Sequence, residues 1–229
     1  ITYLGVFDTV RQRGAAEVMS TLFGSKRKLR NLRICPNVMA ARHAVAIDER
    51  RLGFPSTRWE GIDDSNFAAR NRPGADPTRT YYEQRWFVGM HGDVGGGIGS
   101  KLSANALKWI ADGAAQQGLR FYATYKDDIS PMDDALAEIG TSFSAPISRT
   151  PLSEAFEPMN YPWSPRKIWA SKMRPTMEDA EMIFDPSVIQ RMRAKDVKPR
   201  YRNGPLKPFK AVYAPAKKPA KPKQEKEEA

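Results

Sequence analysis

Two strand-like segments that each end in an ionisable residue constrain this sequence more than any other feature. Residues 1–7 form a near-continuous apolar run that stops at Asp8, and residues 83–90 form a second segment that stops at His91. A short apolar run of the first kind is typical of a strand buried in a parallel sheet. Open α/β sheets place their active sites at the carboxyl ends of such strands. We therefore expect Asp8 and His91 to lie at the functional edge of the sheet.

The remaining pattern favours an α/β fold, with a mostly parallel sheet and flanking helices. Val38, Ala41 and Val45 recur at a helical spacing after Pro36, which predicts a helix over residues 37–48 with Asn37 as its N-cap. Residues 52–80 are rich in Pro, Gly, Asn and Asp and predict a surface loop. Further helices are expected over 104–117, 133–139 and 186–193, the first with Ser103 as its N-cap and Gly118 at its end. Residues 119–125 predict a short strand or a packing segment.

Three regions differ in composition. We expect residues 1–145 to be the C-terminal half of a catalytic domain, because the first strand begins at residue 1 and suggests a missing upstream part. Residues 146–210 are rich in Pro and Trp and predict an irregular extension packed on that domain. Residues 211–229 have few core-forming residues and predict a disordered basic tail.

The net charge of +11 is concentrated in two places. Residues 195–229 hold eleven Lys or Arg against four Asp or Glu, and residues 26–33 form a second basic cluster. Such clusters can attract an anionic membrane surface, although a solvated linker and tail are the simpler interpretation. Nucleic-acid binding is disfavoured, because basic residues and stacking aromatics are not spread over one folded face. The chain shows no signal-peptide pattern and no apolar run of membrane-spanning length.

Asp8 and His91 are the candidate catalytic residues. In a serine hydrolase a histidine takes the proton of the nucleophile while a buried carboxylate holds its tautomer, and in α/β hydrolases the chain order is Ser, acid, His. The chain has one other histidine, His43, which is a possible supporting residue, although its place on the predicted helix makes a structural role the ordinary explanation. Asp93 and Asp48 are candidate supporting residues, as an alternative acid, ion-pair partners or ligands of a hard cation. Their irregular spacing argues against a metal, and no cofactor is expected.

Several motifs resemble one family, the α/β-hydrolase-like domains that include phospholipase effectors of the type VI secretion system. The similar segments occur in the order and approximate spacing of that family and are residues 4–10 (LGVFDTV), 43–51 (HAVAIDERR), 86–97 (WFVGMHGDVGGG), 102–109 (LSANALKW) and 186–191 (PSVIQR), with Tyr201 and Arg202. The sequence departs from the family at three places. Gly92 stands where the family often has Ser or Asn, Ile98 stands where it often has an aromatic residue, and Phe184 and Asp185 stand where it has a histidine.

The resemblance implies a carboxylic ester hydrolase that acts on a lipid or phospholipid, with Asp8 as acid and His91 as base. It also implies a G-x-S-x-G nucleophile segment upstream of residue 1, so this chain alone is expected to be inactive. A cytoplasmic protein or a secreted effector fits this interpretation. The alternative is a non-catalytic binding or structural module on the same fold. The sequence leaves the oligomeric state open.

Overall fold

The computed structural model describes residues 1–10, 32–49, 57–97, 100–122, 124–125, 135–140 and 183–194. The basic cluster 26–33 lies almost wholly outside these residues, as do most of the extension 146–210 and the whole tail 211–229. The described elements, in chain order, are β1 (Tyr3–Phe7), β2 (Ala40–Ala46), α1 (Ile62–Arg70), β3 (Tyr82–Phe87), α2 (His91–Gly95), α3 (Ser103–Ala115), β4 (Ile183–Phe184) and α4 (Pro186–Arg193).

The four strands form one sheet in the order β1-β2-β3-β4. Each neighbouring pair is parallel, with Phe7 opposite Ala44 and Ala46 opposite Phe87. Parallel strands require crossover connections that cover the faces of the sheet, which is the arrangement of α/β proteins. The predicted α/β class is therefore confirmed, and the predicted parallel strands at residues 1–7 and 83–90 are observed as β1 and β3.

The predicted helix over residues 37–48 is wrong. Residues 40–46 form strand β2, and all seven residues of the strand are buried. A short segment that is buried on both faces has no exposed face to reveal its period, so periodicity alone cannot separate a strand from a buried helix. The alanines of this segment fit a helix by propensity, but its two sheet neighbours override that preference.

Helices cover both faces of the sheet. Ala44 and Ala46 point to one face, where they pack with Trp109 and Ile110 of α3. On the other face, Ala41 packs with α1, and Val45 lies in a cluster with Val188 of α4. Alternate residues of a strand point to opposite faces, so β2 contributes to the core on both sides.

Several other predictions are corrected by the structure. The segment 52–80, predicted as a loop, contains the nine-residue helix α1. The helix predicted over 104–117 is confirmed as α3, but Leu102 is its N-cap and Ser103 is its first residue. Gly118 has a positive φ of 92°, as expected for the residue that ends a helix. Residues 119–122 contain no strand, and of the helix predicted over 133–139 the described part shows a 3-10 turn at residues 135–136.

The C-terminal described segment belongs to the sheet. Ile183 and Phe184 lie in the predicted extension, yet they pair with β3 as the fourth strand. The predicted helix near residues 186–193 is confirmed as α4, which begins with Pro186 after the N-cap Asp185. The Asp185 carboxylate accepts a hydrogen bond from the Ser187 N–H at 3.0 Å, a common way to satisfy the first turn of a helix.

Gly113 of α3 lies where the helix packs closely against the sheet. A Cβ atom at this position would overlap the Tyr3 hydroxyl and would lie 2.6 Å from Arg42 Cδ. We expect Gly113→Ala to lower the free energy of unfolding by about 1–3 kcal/mol through overpacking, although alanine is the better helix former. Urea unfolding measures this change. Gly97→Ala, where a Cβ meets no atom within 4 Å, is the control and should leave stability nearly unchanged. Equal stability of the two variants would contradict the packing argument.

Candidate functional site

The carboxyl edge of the sheet gathers the candidate residues. Asp8 follows β1, Asp48 and Glu49 follow β2, His91 follows β3 at the start of α2, and Asp185 follows β4. In a parallel sheet these strand ends lie on one side, as the sequence argument for Asp8 and His91 required. His91 is the first residue of a short helix rather than part of a turn.

Asp8 and His91 are in direct contact. The Oδ2 atom of Asp8 lies 3.0 Å from Nδ1 of His91, within hydrogen-bond distance. The Asp8 side chain is fully buried, whereas the His91 side chain is 33% exposed. A carboxylate at Nδ1 favours the tautomer that carries its proton there, so Nε2 is the nitrogen able to exchange a proton with another group.

The backbone and side chain of Asp8 are both held by β2. Asp8 has a positive φ of 36°, which is unusual for a residue other than glycine and is tolerated best by Asp and Asn. Its N–H donates to the carbonyl oxygen of Ala44 at 2.6 Å. Its Oδ1 atom accepts the N–H of Ala46 at 2.9 Å. The carboxylate thus continues the strand ladder with one oxygen and presents the other to His91.

His43 lies inside the sheet rather than on a helix, and it is fully buried. Its Nε2 accepts the N–H of Thr9 at 3.1 Å, so Nδ1 carries the proton and donates to Gln84 Oε1 at 2.9 Å. Burial lowers the pKa of His43 to about 4, against the smaller raising effects of Gln84 and Asp8. His43 is therefore neutral at pH 7. The structure places it beside Thr9, the residue that follows Asp8.

Asp48 and Asp93 flank the segment that leads to His91. Asp48 Oδ2 accepts the N–H of Gly89 at 2.8 Å, and Asp93 Oδ2 accepts the N–H of Met90 at 2.8 Å. Both side chains bond to backbone rather than converge on a common point. Over the ranges that the structure describes, no group of three or more His, Cys, Asp or Glu residues could hold a metal ion.

Sequence reasoning missed two residues near the candidate pair. Glu49 is fully buried, and its Oε2 atom accepts the N–H of His91 at 3.2 Å. Gln84 is buried beside His43 and also accepts the N–H of Trp59 at 2.9 Å. Asp48 and Glu49 lie just after strand β2. A strand assignment for residues 40–46 would have placed both at the carboxyl edge of the sheet.

Comparison with known protein families gives a match over the N-terminal part of the chain. Residues 1–113 match the family model described as "T6SS, Phospholipase effector Tle1-like, catalytic domain". The matched segment contains β1, β2, β3 and most of α3, and therefore both Asp8 and His91. No curated protein and no solved structure matches the chain. The family resemblance inferred from the sequence motifs is confirmed over these residues.

The low pKa of His43 predicts an acid-sensitive fold. Between pH 6.5 and about 4 the unfolded chain takes up a proton at His43 while the folded protein does not, so stability falls as the pH falls through this window. The loss approaches about 3 kcal/mol at pH 4. Urea unfolding at several pH values measures it. His43→Gln removes the titrating group and should lose less stability over the same window. Parallel losses in both proteins would contradict the assignment.

Proposed function

We propose that this chain forms part of a serine-dependent carboxylic ester hydrolase that acts on a lipid or phospholipid. The 3.0 Å contact between Asp8 and His91 is the observation that carries the proposal. The family match over residues 1–113 supports the substrate class, because the matched family is one of phospholipase effectors. A type VI secretion effector would be delivered out of the cell that makes it. No helix in the described part of the chain is long and apolar enough to cross a membrane.

The chemistry follows from the roles of the two residues. The serine hydroxyl gives its proton to Nε2 of His91 as its oxygen attacks the ester carbonyl carbon, and the carbonyl oxygen becomes an oxyanion. Collapse of this intermediate breaks the ester bond, and the leaving alcohol takes the proton from Nε2. Water then repeats the sequence on the acyl-enzyme and releases the carboxylic acid. Asp8 stays ionised, holds the proton of Nδ1 and stabilises the imidazolium.

The contrast in burial suits these roles. Asp8 is shielded from water, so its charge interacts with the imidazolium in a medium of low dielectric constant. His91 is partly exposed, as a base must be if a substrate is to reach it. The same arrangement with a solvent-exposed carboxylate would be weaker and more sensitive to salt.

The serine belongs before residue 1 in this proposal. The α/β-hydrolase order places the nucleophile before the acid, and residues 1–7 contain no serine. Within the described sheet β1 has one neighbour, β2, so its other edge is where the strand that leads to the serine would pair. A hydrolase-type sheet with the oxyanion hole in its upstream half completes this hypothesis.

Substitution of the pair tests the proposal in the complete protein. Asp8→Asn keeps an oxygen for the Ala46 N–H, but its amide NH2 group would donate to Nδ1 of His91 and leave the imidazole proton on Nε2. Nε2 could then not accept the serine proton, so kcat for ester hydrolysis should fall by about 10²–10⁴. His91→Ala should lose at least as much. Asp112→Asn, which alters an exposed ion pair of α3 with Lys108, is the control and should retain activity.

Unchanged turnover in Asp8→Asn and His91→Ala would contradict the enzyme hypothesis and favour a non-catalytic binding module. Residues 1–229 expressed alone should show no turnover, because they supply the acid and the base without the nucleophile.

The second part of the proposal is that the basic clusters bind the protein to an anionic membrane surface. Residues 195–229 carry an excess of seven positive charges, two of them within residues 211–229, and would attract the protein to an anionic bilayer. Deletion of residues 211–229 should weaken binding to phosphatidylserine vesicles at low salt, and salt should weaken the binding of the intact protein. Sedimentation with vesicles measures both effects. Equal binding of the deleted and intact proteins would assign the tail to a solvated, non-binding role.

A further inference from the structure

Three successive backbone N–H groups lead to the candidate base, and each donates to a different buried carboxylate. Gly89 donates to Asp48 at 2.8 Å, Met90 donates to Asp93 at 2.8 Å, and His91 donates to Glu49 at 3.2 Å. The three carboxylates are at most 6% exposed. Hydrogen bonds to a charged acceptor are about twice as strong as neutral ones, so the main chain of this segment is held firmly.

The segment is constrained at Gly89 as well. Gly89 has a positive φ of 114°, and a Cβ atom there would lie 2.5 Å from Cβ of Asp93. Asp48 binds the same residue twice, since its own N–H donates to the Gly89 carbonyl oxygen at 2.9 Å. These contacts together restrict the backbone conformation of residues 88–91.

Burial of three carboxylates carries a large desolvation cost, and a short turn does not require it. The first turn of a helix is commonly satisfied by a single Ser, Thr, Asp or Asn side chain. Asp93, in the first turn of α2, meets that need, whereas Asp48 and Glu49 come from the end of β2 and exceed it.

The end of β2 is connected to both members of the candidate pair. Ala46 donates its N–H to Asp8 on the β1 side, and Asp48 and Glu49 accept N–H groups from Gly89 and His91 on the β3 side. Residues 46–49 therefore bind Asp8 through a backbone N–H and bind the segment of His91 through two carboxylates. The position of His91 relative to Asp8 is defined through a single short segment.

We propose that Glu49 is a positioning residue, which, together with Asp48 and Asp93, fixes the main chain of His91 so that Nδ1 meets Asp8. Glu49 acts through the backbone N–H of His91 and does not touch the substrate. The inference rests on the proposed function, since positioning matters for turnover only if His91 is the base. Misplacement of a catalytic group by about 1 Å can cost about 10²-fold in rate, which sets the size of the expected effect.

Two variants of Glu49 separate position from charge. Glu49→Gln keeps the length and an acceptor oxygen but removes the charge, whereas Glu49→Asp keeps the charge but is one methylene too short to reach His91. A positioning role predicts that Glu49→Gln retains kcat for ester hydrolysis within a few fold. It predicts that Glu49→Asp loses about 10- to 100-fold in kcat with little change in KM.

The matched control is Glu83→Asp. Glu83 is an ion-pair partner of Arg42 at 2.9 Å on the same sheet, away from the carboxyl edge. Shortening it should lower the melting temperature without changing kcat in the folded protein. A loss of activity in Glu49→Asp that exceeds the loss in this control is not a general effect of destabilisation.

A second readout does not depend on turnover. In a nitrogen-15 NMR spectrum, the Nδ1 proton of His91 should be protected from exchange by Asp8, and Glu49→Asp should weaken that protection while Glu49→Gln preserves it. If His91→Ala leaves turnover unchanged, the proposed function fails, yet this measurement still tests positioning. The inference is overturned if Glu49→Asp keeps both kcat and the protected proton, or if Glu49→Gln is impaired and Glu49→Asp is active.

Discussion

The burial of β2 is the constraint on which the rest of the described structure depends. The strand pairs in parallel with β1 and β3, and helices pack on both of its faces. It also carries two buried polar side chains, Arg42 and His43. Arg42 reaches Glu83 at 2.9 Å and the Trp109 carbonyl oxygen at 2.7 Å, and His43 reaches Gln84 on the opposite face.

These polar contacts define the register of the sheet. A slip of one residue would exchange the faces of Arg42 and His43 and leave both side chains buried without their partners. The alanines of the strand are small, so hydrophobic packing alone discriminates weakly between neighbouring registers. Because the register also sets where each strand ends, the polar pairs inside the sheet determine the placement of residues at its carboxyl edge.

The sequence predicts the parts of the fold in which local pattern and tertiary environment agree. β1 stops abruptly at Asp8, and α3 shows a clear apolar stripe, so both are predicted nearly in full. Helix α1 was missed because its flanks are rich in Gly, Pro and Asn, although the acidic first turn at Asp63 and Asp64 and the final Arg70 are ordinary helix signals.

The candidate site was predictable to a similar degree. Asp8 and His91 follow from the rule that the carboxyl ends of parallel strands share an edge. A strand assignment for residues 40–46 would have placed Glu49 at this edge, but its contact with His91 was not predictable, because it is made with a backbone N–H that leaves no mark on the sequence. The helix predicted over residues 37–48 also placed Glu49 at a helix end and not at the end of a strand. Glu49 and His91 are 42 positions apart, and their contact depends on the order of the strands in the sheet, which periodicity does not predict.

The backbone of Asp8 has a consequence for the balance between stability and activity. Its φ of 36° and its fully buried carboxylate both raise the free energy of the folded state. Asparagine adopts this conformation readily and brings no charge into the core. A search for more stable variants would therefore tend to replace this residue first. Under the proposed function, aspartate at this position serves the reaction at a cost to the stability of the fold.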